Sequence, residues 1–67
     1  MSTGMQLKLA RIRADLKQIE VAQAAGTTAA RLSLIEHGRV RASPKMLDRI
    51  RKGIERASAA KAESICG

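Results

Sequence analysis

Gln18 to Gly38 reads QIEVAQAAGTTAARLSLIEHG, a stretch that meets the demands of two short helices packed steeply across a tight turn. Such a pair needs a small residue where the backbones approach, a residue able to turn sharply between the helices, and apolar side chains on both inner faces. Ala22, Gly26 and the set Val21, Ala25, Leu32 and Ile35 supply these in that order. The first helix of the pair is expected over about Gln18 to Ala25, and it stops at Gly26, the residue type that most easily adopts the left-handed conformation closing a helix. Thr27 or Thr28 then caps the second helix, which ends before Gly38 with His37 near its carboxyl end. Ala and Gly are common residues, so the joint spacing carries the reading rather than any one position.

Upstream of this pair, a helix is expected from about Met5 to Leu16, with apolar stripes Leu7–Ala10–Ala14 and Met5–Leu9–Ile12–Leu16 at helical spacing. Residues 1–4 read as a flexible lead in which Ser2 or Thr3 can cap. The apolar surface is wider than one contact requires, so Leu9 and Ile12 need a cover, either the C-terminal helix folded back or a protein partner. Downstream, Gly38 to Ala42 has no apolar period and reads as a loop, and Ser43-Pro44 restarts helix as N-cap and first helical residue. Met46, Leu47, Ile50, Ile54 and Ala57 recur every three or four residues, to about Ser58. Gly53 weakens this helix by roughly 1 kcal/mol relative to Ala and marks a point where it can divide in two. Residues 59–67 are a helical extension or a frayed tail. The expected fold class is all-α, with four to five short helices in a single domain spanning 1–67 and its core in 5–58.

The 67 residues include no Phe, Tyr or Trp although 45% are hydrophobic, so the core is built from thin side chains, which suits closely crossing helices. Thirteen Lys and Arg against six Asp and Glu give a formal charge of +7 and a pI near 10.9, pointing to a polyanionic partner. The excess is concentrated in residues 37–56, where Arg39, Arg41, Lys45, Arg49, Arg51, Lys52 and Arg56 face only Asp48 and Glu55. Without aromatic rings to stack on bases, a duplex is favoured over a single strand. No apolar run approaches the ~20 residues needed to cross a bilayer, and no signal pattern opens the chain. A cytoplasmic protein is therefore expected. Cys66, the single cysteine, rules out an internal disulfide and reads as an incidental thiol in a reducing compartment. One His, a near-terminal Cys and scattered carboxylates assemble no acid–base pair, nucleophile system or metal set, so neither an enzyme nor a metal or other cofactor is expected.

The segment resembles the Cro/repressor-type helix-turn-helix family, also called the XRE family, whose domains are lambda-repressor-like. The likeness runs without gaps from about Leu7 to Gly38, with Arg11 on the first helix, Gln18 opening the second, Val21-Ala22 within it and Ile35-Glu36-His37-Gly38 closing the third. It covers Pro44 to Ile54 more loosely. The resemblance implies a sequence-specific, double-stranded-DNA-binding transcriptional regulator, a small Cro-like repressor of a phage, mobile element or bacterial chromosome, acting as a homodimer on a two-fold operator. It implies that Arg11 and Glu36 form a structural ion pair and that the third helix lies in the major groove.

On that helix the base-reading set is Thr28, Ala29, Ala30, Arg31, Ser33 and Leu34. Phosphate contacts are expected from Lys17, Gln18, Thr27, Arg39, Arg41 and Lys45, and a dimer interface from Leu47, Ile50, Ile54, Ala57 and Ile65. Where the family usually carries long polar side chains, this chain has Ala29, Ala30 and Leu34. These offer only methyl contacts, chiefly to thymine, so DNA shape is expected to carry more of the specificity. The competing expectation is a protein-interaction module, an antitoxin or antiactivator type of partner, using the surface at Leu9 and Ile12.

Overall fold

The computed structural model describes residues 3–66, and side chains as far as residue 62. Ser2 and the side chains of Ile65 and Cys66 lie outside the described residues. Four helices follow one another: α1 (Thr3–Arg13), α2 (Gln18–Ala25), α3 (Ala29–Glu36) and α4 (Pro44–Cys66). No strand occurs among the described residues, so the all-α expectation is borne out, at the lower of the two helix numbers.

The first three helices end in the same way. A residue one or two positions past each helix is left-handed, Asp15 at φ 57°, Gly26 at φ 74° and Gly38 at φ 73°. The following N–H then reaches back five residues, Leu16 to the Arg11 carbonyl at 3.1 Å, Thr27 to Ala22 at 2.9 Å and Arg39 to Leu34 at 2.9 Å. This is the Schellman closure, which satisfies carbonyls the helix leaves open. Glycine adopts the conformation without strain, and Asp tolerates it better than most side chains.

The closure corrects the expected extent of the first helix. It ends at Arg13 rather than Leu16, and Leu16 is buried as the residue after the left-handed turn. Helix starts are equally local. The Lys17 N–H donates to Glu20 Oε1 at 2.9 Å, Thr28 Oγ1 accepts from the Arg31 N–H at 3.2 Å, and Ser43 Oγ accepts from the Met46 N–H at 3.2 Å. Thr28, not Thr27, therefore caps α3.

Leu7, Leu16, Val21, Ala22, Ala25, Leu32, Ile35, Ile50 and Ile54 form the core. α4 packs chiefly along α2, and α3 packs against α1 and α2. With so little side-chain bulk available, two glycines set the closest approaches. A Cβ on Gly53 would lie 3.1 Å from the Ala25 nitrogen and 3.2 Å from the Val21 carbonyl oxygen. Gly53 is thus the crossing point of α4 over α2, and the helix runs through it unbroken. Gly4, expected in a flexible lead, is buried in the first turn of α1, where a Cβ would overlap the Ile35 carbonyl oxygen.

Two further side chains hold the α1–α2 turn. Arg11 Nη1 donates to the Leu16 carbonyl at 2.8 Å, and Lys61 Nζ, from the C-terminal half of α4, donates to the Asp15 carbonyl and to Asp15 Oδ2. On the extra stripe of α1, Leu9 is half-buried and Ile12 is 53% exposed.

Candidate nucleic-acid interface

α3 is a helix with one face fixed and the other free. Leu32 and Ile35 sit in the core, and Glu36 beside them is only 2% exposed. A carboxylate buried that far is tolerated only when paired and hydrogen-bonded. Arg11 Nε donates to Glu36 Oε2 at 2.8 Å and Arg11 Nη2 to Glu36 Oε1 at 3.2 Å. Gln18 Nε2 adds a third bond to Oε1 at 3.1 Å. The carboxylate therefore ties the end of α3 to the last turn of α1 and the first residue of α2.

On the opposite side Ala30, Arg31, Leu34 and His37 are exposed, and Ala29 and Ser33 are half-buried. Thr28 is exposed while its hydroxyl accepts the capping bond. His37 turns back on its own helix, its Nδ1–H donating to the Ser33 carbonyl at 2.7 Å, so the ring serves the helix end. Arg31 is then the one long cationic donor on this face. Ala30 and Leu34, the latter 41% exposed, present methyl groups of the kind that meet the thymine methyl.

Lys17, Arg39, Arg41 and Lys45 are exposed, and Thr27 is half-buried. Gln18, expected at phosphate, directs its side-chain NH2 inward to Glu36. The expected dimer set divides. Ile50 is fully buried and Ile54 is 9% exposed, so both belong to the core of the single chain, because the three- and four-residue spacing that makes them apolar neighbours on α4 also points them at α2. Leu47 and Ala57 are half-buried at the edge of that core. The Ile65 side chain lies outside the described residues.

Arg49 was expected only as part of an undivided basic stretch. Its guanidinium lies against Gly26, where a Cβ would collide with Nη2. The signal in the sequence was the spacing of Lys45, Arg49, Lys52 and Arg56, which at 100° per residue keeps all four on one flank of α4. That flank borders a groove whose other side is Gln23, Ala24 and Ala25 of α2. A second cleft, on the α3 side of the turn, is lined by Gly26, Thr27, Thr28, Arg31, Leu34, Val40 and Met46.

Among the described residues no group of His, Cys, Asp and Glu could hold a metal ion, and no helix is long and apolar enough to cross a membrane. The family model described as a helix-turn-helix domain matches residues 3–63. No curated protein and no solved structure matches the chain.

Proposed function

Because the chain belongs to the helix-turn-helix domain family, we propose that it is a sequence-specific regulator of transcription that reads duplex DNA with α3, in the manner of the small Cro-like repressors of the XRE type. The observation that carries this reading is the two-sidedness of α3. Its inner face is anchored through Leu32, Ile35 and the Arg11–Glu36 pair, while Ala30, Arg31 and Leu34 stand in solvent. A rigidly seated helix with a free face is what the major groove accepts.

In this account Arg31, Thr28 and Ser33 make the polar base contacts, and Ala29, Ala30 and Leu34 allow close approach to thymine-rich steps. Arg39, Arg41, Lys45 and Lys17 hold phosphates. With few base-reading donors, sequence-dependent groove shape supplies part of the selectivity. One such headpiece covers few base pairs, so two copies on a two-fold site supply the remaining affinity.

Sedimentation of the protein with a symmetric duplex tests the arrangement. Two chains per duplex at saturation are expected, and a single chain on each symmetric site contradicts it. The surface at Ile12, 53% exposed, favours a second reading as a protein-interaction module. Stoichiometric binding of one protein partner, without duplex affinity, would select that reading.

A further inference from the structure

The cations of α4 do not form one patch. Arg49, Lys52 and Arg56 border the groove beside α2, whereas Arg51 projects to the opposite flank, about 200° around the helix from Arg49. Within the groove the charges are also unequal. Lys52 Nζ lies 3.1 Å from Asp48 Oδ2. In the adjoining cleft, which Arg56 also lines, Lys61 is held by Asp15 and Glu20 accepts the Lys17 N–H.

Arg49 and Arg56 are exposed and have no acidic partner among the described residues. They stand seven residues apart, about 10 Å along the helix axis, far enough apart to reach different phosphates of one DNA strand. Arg49 rests on Gly26, two residues before the cap of α3, so this flank is tied in space to whatever α3 enters. An acidic protein in the groove would have no need of that link.

We infer that Arg49 and Arg56 are phosphate contacts, forming a second line of grip that leaves the α2–α3 turn and climbs the α2-side flank of α4, beyond the contacts expected of Arg39 and Arg41 in the loop and of Lys45 at the start of that flank. The inference rests on the DNA-binding reading above. It divides residues of equal charge into contacting and non-contacting ones, which net charge alone does not.

The test is the salt dependence of binding to a duplex selected by the wild-type protein, from about 50 to about 200 mM salt, for the wild type and for Arg49→Ala, Arg56→Ala and Arg51→Ala, each checked for folding by its thermal transition. The slope of log K against log salt should fall in magnitude by about 1 for Arg49→Ala and for Arg56→Ala, with sequence preference kept. It should stay unchanged for Arg51→Ala, and Arg49→Lys should retain the wild-type slope. Equal losses in all three alanine variants overturn the inference in favour of net charge. Unchanged slopes at 49 and 56 overturn it as well, and leave the groove to an acidic protein. A wild-type protein that binds no duplex overturns the DNA-binding reading together with the inference, so the two failures are told apart by the wild-type measurement.

Discussion

The Arg11 guanidinium grips the Glu36 carboxylate with two donors, Nε to Oε2 at 2.8 Å and Nη2 to Oε1 at 3.2 Å, and so joins α1 to the last residue of α3. Because Glu36 is buried, removing the arginine leaves a carboxylate with only the Gln18 amide. Arg11→Ala should cost about 3–5 kcal/mol in urea unfolding. Arg11→Met combined with Glu36→Leu should cost less than Arg11→Ala alone, since neither charge is then stranded. A double variant as unstable as the single one would show that the pair contributes through packing instead.

Gly4 and Gly53 occupy the tightest backbone approaches in the fold. In an open helix Gly→Ala is worth roughly 1 kcal/mol of stability. At Gly4 the added methyl would overlap the Ile35 carbonyl oxygen, so Gly4→Ala should destabilise. Gly53→Leu should cost about 1–3 kcal/mol by forcing α4 off α2. Thermal denaturation of both variants checks this, and a raised midpoint in either contradicts the packing described.

Thr28 holds the Arg31 N–H through its hydroxyl and fixes where α3 begins. Thr28→Ala should lose about 1 kcal/mol of stability, whereas Thr28→Ser should keep most of it. Equal stability of the wild type and Thr28→Ala would mean that the cap contributes nothing to folding.

Much of this fold was legible in the sequence, because its decisive signals are local. The limits of α2, the turn at Gly26 and the restart of helix at Ser43-Pro44 each follow from one residue's backbone preference or capping chemistry. Other features were not legible, for a common reason. Leu16 matches the apolar period of α1, yet it is buried from the turn, because the residue after the left-handed Asp15 in a Schellman closure can fold its apolar side chain back onto the helix it closes. Gly53 reads as a weak point in isolation and becomes a packing point only when α2 is present. Ile50 and Ile54 look the same whether they face a partner chain or their own core. On the candidate interface, the spacing of α3 indicated which face is free, but the inward turn of the Gln18 amide and the seat of Arg49 on Gly26 depend on contacts between distant segments.

Arg31 is the longest polar side chain on the free face of α3, and its role bears on the whole reading. Selection of bound fragments from random duplex DNA, with the wild-type protein and with Arg31→Ala, is the most direct measurement. The account predicts a two-fold symmetric site for the wild type, and in the variant a relaxed preference at one position of each half-site, at a cost of about 1–3 kcal/mol. Recovery of no enriched sequence by the wild type, with duplex affinity that does not fall as salt rises, would contradict the claim that α3 reads DNA.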